Sequence, residues 1–96
     1  MTLWRMAANN THLYPGALLR CQDAPGGARL ARGDEAAVEL ADGSLALGTF
    51  SAVDGASAAL ALPAFRTRRG ALVAARTWRL VPGGEAGLLR VKQRLG

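Results

Sequence analysis

Two Asp-Gly pairs, Asp42-Gly43 and Asp54-Gly55, stand twelve residues apart in this 96-residue chain, each between apolar runs. Asp-Gly supplies the positive φ that tight hairpin turns demand, so each pair marks a turn with a mechanism behind it. Val38 and Leu40 alternate before the first turn, and Ala58, Leu60 and Leu62 alternate after the second. A middle strand from about Leu45 to Val53 joins them. This pattern predicts an antiparallel meander.

The middle strand has a parity conflict. Leu45 and Leu47 point to one face, whereas Phe50 falls on the other. An extra residue at a bulge beside Gly48 would restore a common inward face, since glycine tolerates such a bend. A sharply bent central strand curls a short meander into a small barrel rather than a flat sheet.

The flanking segments carry weaker signals. Residues 1–16 read as an irregular leader ending at the Tyr14-Pro15-Gly16 turn signal. "ALLRCQ" (17–22) fits a short strand or one helical turn, and "DAPGGAR" (23–29) reads as a loop. "ALVAARTWRLV" (71–81) has a strand pattern and "PGGEAG" (82–87) a turn. The tail "LLRVKQRLG" fits a strand, or a short amphipathic helix with Arg90, Lys92 and Arg94 outward; a strand fraying at its end is the preferred reading. The expected organisation is a leader over 1–16 and a single domain over 17–96.

Composition limits the core. Half the chain is hydrophobic, but 20 residues are alanine and only five are aromatic. A core of such small side chains is thin, which favours self-association into a homo-oligomer. Cys21, the single cysteine, excludes an internal disulfide and reads as a small core residue, and His12 reads as a surface residue. No apolar run approaches the roughly 18 residues of a membrane span, and the N-terminus lacks the apolar core of a signal peptide. The expectation is a cytoplasmic protein with no membrane role.

Charge is divided along the chain. Residues 1–54 carry a balance of −2 and residues 55–96 a balance of +7. A half-chain that basic can form an anion-attracting face, for which nucleic acid is the commonest partner. Eleven arginines to one lysine, with abundant Ala and Gly, is also what a GC-rich coding sequence produces.

Catalysis is poorly served. There is one His and one Cys, with no nucleophile elbow, phosphate-cradling loop or metal-ligand spacing. Asp34 and Glu35 are adjacent, so on a strand they face opposite ways and read as solubility residues at a strand start. No enzyme activity, cofactor, metal or small-molecule substrate is indicated.

Two segments, "VELADGSLALGTFSAVDG" and "RRGALVAA", resemble the paired signatures of the Sm-like family, which includes bacterial Hfq proteins and the Sm proteins of eukaryotes and archaea. Val38-Glu39-Leu40, Asp42-Gly43, Gly48, Val53 and Asp54 follow the order of the first, and Arg69, Gly70, Leu72 and Val73 that of the second. The resemblance covers roughly residues 35–75. It departs at Ala58 and Ala59, where RNA-binding members carry an asparagine, and at Arg68, where the family has an aliphatic residue. It implies a small, strongly bent five-stranded SH3-like or Sm-like barrel, so the expected fold is all-β, and the residues themselves leave room for a short N-terminal helical turn. It also implies a ring of subunits with RNA near the pore.

The candidate contacts are arginines. Arg66, Arg68 and Arg69 crowd against Gly70 in "FRTRRG", where guanidinium forks can meet phosphates. In "RTWRL" (76–80), Arg76 and Trp78 share one strand face, and Thr77 and Arg79 the other. Trp78 has three readings: stacking on an unpaired base, an interface anchor, or a core plug, with core or interface favoured. Trp4 in the leader reads equally as an anchor onto another subunit or as disordered. The leading expectation is nucleic-acid binding, single-stranded RNA before DNA, through Arg66, Arg68, Arg69, Arg76 and Arg79. The alternative is a protein–protein assembly module of the same fold with no nucleic-acid role, working through Trp78 and exposed strand edges.

Overall fold

The computed structural model describes residues 2–23 and 29–96, so the centre of the loop expected over 23–29 lies outside the described residues. Every regular element described is a strand: β1 (Leu3–Ala8), β2 (Leu18–Asp23), β3 (Glu35–Glu39), β4 (Leu45–Asp54), β5 (Ser57–Leu62), β6 (Phe65–Arg66), β7 (Leu72–Val73), β8 (Arg76–Pro82) and β9 (Leu88–Arg94). Seven close into a barrel in the order β1-β2-β9-β8-β5-β4-β3, while β6 and β7 form a separate two-stranded hairpin. The fold is all-β and a small barrel, as expected. The count of five strands and the N-terminal helical turn are corrected: seven strands line the barrel, and no helix occurs among the described residues.

Both Asp-Gly turns form. At the first, Gly43 donates to the Leu40 carbonyl (2.9 Å) and Leu40 to the Ser44 carbonyl (2.8 Å). Gly43 has φ of 86°, completing a three-residue loop in which a left-handed residue follows a turn. At the second, Asp54 pairs with Ser57. Gly55, at φ 61°, takes the first central position of that two-residue loop, where a type II′ turn requires glycine.

The bulge sits elsewhere than expected. Strands β3 and β4 run in unbroken register through the Ala36–Gly48 pair. Ala46, Gly48 and Phe50 face the core, and Leu45 and Leu47 face outward. The register with β5 shifts only between Phe50 and Ala52. Gly48 is therefore an inward position with no room for a side chain. A Cβ there would lie 2.7 Å from the Ala61 carbonyl oxygen and 2.5 Å from Leu62 Cδ2.

The expected leader supplies β1, whose Trp4 and Met6 enter the core. It runs antiparallel to β2 and parallel to β3, and the parallel pairing closes the barrel. Asp34 fastens this seam. It accepts Thr2 N at 3.1 Å, Trp4 Nε1 at 3.0 Å and Ala31 N at 2.9 Å. The Trp4 indole, above all, holds its carboxyl below the usual carboxylate range, with the Ala31 and Thr2 amides adding to the effect. Asp34 is thus a buried clasp, not a solubility residue.

The core fills a narrow interior by setting large side chains against small ones. Phe50, Leu60, Leu80, Leu19 and Val91 are fully buried, with Ala36, Ala46 and Ala58 among them. Each fully buried large apolar side chain contributes about 1.5–3 kcal/mol. Cys21 is half-buried against this core, and burial pushes its thiol pKa up, as befits an inert packing residue.

Candidate nucleic-acid interface

Alternating strand direction sorts the connections onto two ends of the barrel. The β3–β4 turn and the long β5–β8 connection share one end with the C-terminal end of β9. The loop after β1 joins them, since Ala41 N donates to the Asn10 carbonyl at 3.0 Å. The β4–β5 and β8–β9 turns occupy the other end. Asp34, Glu35, Asp54 and Glu85 lie in or beside the connections of that second end.

The first end is arginine-rich. The β6–β7 hairpin presents Arg66, Arg68 and Arg69 as exposed side chains. Its tip is ordered by its own sequence. Gly70 N donates to the Thr67 carbonyl (2.9 Å), Ala71 N donates to Thr67 Oγ1 (3.1 Å), and Gly70 takes φ of 85°. Arg66 Nη1 donates to the Gly70 carbonyl at 3.0 Å, holding one guanidinium edge beside the tip.

The hairpin is anchored to the β3–β4 turn. Arg68 N donates to Ser44 Oγ at 3.0 Å. The Arg68 side chain lies across Gly43, so closely that a Cβ on Gly43 would come 2.7 Å from Arg68 Nη1. Asp42, the acidic residue of this turn, accepts Ser44 N at 2.9 Å. That amide, the Ser44 hydroxyl and then the Arg69 charge hold its carboxyl below the usual range.

Arg76 opens β8 at the same end. It is half-buried, with Nη1 on the Ala75 carbonyl at 2.9 Å. Arg94, at the end of β9, joins it: Arg94 pairs in register with Trp78, two residues beyond Arg76 on the same inward face. The structure therefore brings Arg66, Arg68, Arg69 and Arg76 together and adds Arg94. Arg79 is apart from them. It sits on the outer wall opposite Gln93, on the same side as Arg90. The ion pair formed among the described residues is Arg20–Glu85, at 2.8 Å on the far end, so the rim arginines hold no carboxylate by a salt bridge.

Trp78 points into the barrel and is 8% exposed. It is part of the core, so an exposed-tryptophan surface of the kind weighed for stacking or docking is not formed. Among the described residues every barrel strand has a neighbour on both sides, so no whole strand stands as an edge of the barrel. Ala58 and Ala59, where the Sm-like pattern has asparagine, are buried in β5. Sequence reasoning missed Arg94 because the preferred strand reading of the tail, with Leu89 and Val91 inward, sets Arg94 outward by alternation, as the helical alternative does. β9 is a strand throughout Leu88–Arg94, and the register shift against β8 between Arg79 and Leu80 turns Arg94 inward opposite Trp78, which no local sequence signal marks.

Compared with known proteins, the chain matches no family model, and no curated protein or solved structure matches it significantly.

Proposed function

We propose that this barrel binds single-stranded nucleic acid, RNA before DNA, through phosphate contacts at its arginine-bearing end. The observation that carries the reading is the convergence of Arg66, Arg68, Arg69, Arg76 and Arg94 on one end, with Asp42 set among them. Guanidinium groups give forked contacts to phosphate oxygens. Such binding is tolerant of sequence and weakens with salt.

The test is titration of a labelled oligouridine at 50 and 200 mM salt. Five phosphate contacts on a single strand give a log–log salt slope of about −3.5, at ~0.7 per contact. Replacing Arg66, Arg68 and Arg69 by alanine leaves two contacts and a slope of about −1.4. The fourfold rise in salt then weakens binding about sevenfold instead of about 130-fold. No binding by the unaltered protein at 50 mM, or an unchanged slope in the triple variant, refutes the proposal.

A second reading, an assembly module forming a homo-oligomer, is favoured by the outer face of β1, β3 and β4. Leu45 and Leu47 are 65% and 54% exposed there, with Leu3 at 47%. Leu45 and Leu47 are adjacent outward positions on β4, an exposed apolar pair of the kind association surfaces are built on, while Leu3 lies two strands away beside Glu35.

A further inference from the structure

The same end of the barrel holds a half-open pocket of about 220 Å³. Val38, Leu40, Leu62 and Trp78 line it from the barrel, and Phe65 and Val73 line it from the β6–β7 hairpin. Phe65 and Val73 are directly paired, so the hairpin lays an apolar underside over the opening and turns its arginines outward. Thr11, His12, Arg76 and Arg94 supply the polar part of the lining.

Three features specify what fits. The walls are apolar, so the body of the ligand is apolar. A dry apolar cavity of ~150 Å³ accommodates benzene, so this one takes a body of roughly seven to nine carbons. The polar groups are cationic at the mouth. Arg76 and Arg94 are diagonal neighbours on the inner face of adjacent strands, and such positions lie about 7–8 Å apart, within reach of long side chains. Arg76 spends one N–H on the Ala75 carbonyl, and a guanidinium carries five. Neither arginine has a carboxylate partner among the described residues. A mostly apolar pocket with a few convergent polar groups is the usual form of a small-ligand site, and barrel mouths are a usual place for one.

We propose that the barrel mouth binds a small amphipathic carboxylate, its apolar body against Trp78, Phe65 and Val73 and its carboxylate between Arg76 and Arg94. This site does not depend on nucleic-acid binding, because its walls and its charge pair exist whether or not Arg66, Arg68 and Arg69 contact phosphate.

The probes are octanoate, octan-1-ol and adenosine monophosphate, titrated into the 15N-labelled full chain while the two indole N–H resonances are followed by NMR. A Trp78→Phe variant assigns those resonances. Octanoate is expected to move the Trp78 signal with at least tenfold higher affinity than octanol. Arg76→Gln combined with Arg94→Gln should reduce octanoate to the octanol level and leave octanol unchanged. Val73→Trp, a substitution on the half-exposed hairpin that fills the opening, should weaken both at least tenfold. Equal affinity for octanoate and octanol, or no response of Trp78 to octanoate, overturns the proposal. So does octanoate binding that survives the double arginine variant. Adenosine monophosphate binding as tightly as octanoate at Trp78 would give the pocket to a nucleobase and also overturn it. Failure of the oligouridine titration leaves these outcomes untouched, so the two proposals fail separately.

Discussion

Gly48→Ala is a small substitution with two opposing effects. Gly48 has no positive φ, so alanine fits the backbone, and replacing a strand glycine by alanine alone would stabilise the fold by about 0.5–1 kcal/mol. Against this stands the space. The new Cβ would sit 2.7 Å from the Ala61 carbonyl oxygen and 2.5 Å from Leu62 Cδ2, with Leu60 Cδ1 at 3.2 Å. A leucine methyl can rotate aside, but the Ala61 carbonyl belongs to the neighbouring strand and moves only with β5. Overpacking of this kind costs about 1–3 kcal/mol, and the backbone obstacle places it in the upper half of that range. The net expectation is a loss of about 1–2 kcal/mol. For a domain this size that lowers Tm by about 5–15 °C, read by circular dichroism at fixed protein concentration. Leu62→Ala in the same background should not restore Tm, because the carbonyl remains. A Gly48→Ala protein as stable as its parent, or one rescued by Leu62→Ala, would show that the β4–β5 approach is looser than the geometry described.

Asp34→Asn should flatten the acid limb of the stability curve. The Asp34 carboxyl is depressed in the folded state by the Trp4 indole and by backbone amides. Its contribution is present above the unfolded carboxylate pKa, about 3.9, and is lost as pH falls through the lower folded value. Urea midpoints measured from about pH 5 downward should therefore fall less steeply in the variant than in the parent. An equally steep decline would assign the acid sensitivity to other carboxylates, Asp42 first. Leu45→Lys with Leu47→Lys should abolish self-association while leaving Tm within a few degrees, since both side chains point outward. Sedimentation velocity reads the first effect, and an assembly unaffected by the pair removes this face from the second functional reading.

Turn chemistry was the most legible layer of this sequence. The two Asp-Gly hairpins, β5 and β8 follow from local residue patterns because a tight turn requires glycine at a particular φ, whatever surrounds it. The parity of β4 was misleading because bulky residues were expected inside. In a narrow barrel, Leu60, Leu62 and Trp78 already occupy the interior, so the facing strand contributes Ala46 and Gly48 and turns Leu45 and Leu47 outward. Strand β1 was missed for a different reason. Its period-2 signal amounts to Trp4 and Met6, and its closing partner β3 is about thirty residues away in a parallel pairing. Likewise, the arginines of the hairpin and β8 were visible as a basic half-chain, but their meeting with Arg94 depends on the register of β8 with β9. The apolar pocket has no local sequence signal, because its lining comes from at least five separate segments.

The order of strands around the barrel also sets an order of events in time. The seam between β2 and β9 pairs Leu18, Leu19 and Arg20 with Arg90, Leu89 and Leu88 and is extended by Val91 N to the Ala17 carbonyl and Cys21 N to the Gly87 carbonyl, and β9 is synthesised after the other strands of the barrel. Until it arrives, β2 and β8 are free edges of an incomplete sheet, and unpaired edges recruit other chains. That seam joins residues some seventy positions apart in sequence, a non-local pairing of the kind that slows folding. A chain that lacks β9 leaves β2 and β8 each without a neighbour on one side, and such unpaired rows of N–H and C=O groups invite aggregation.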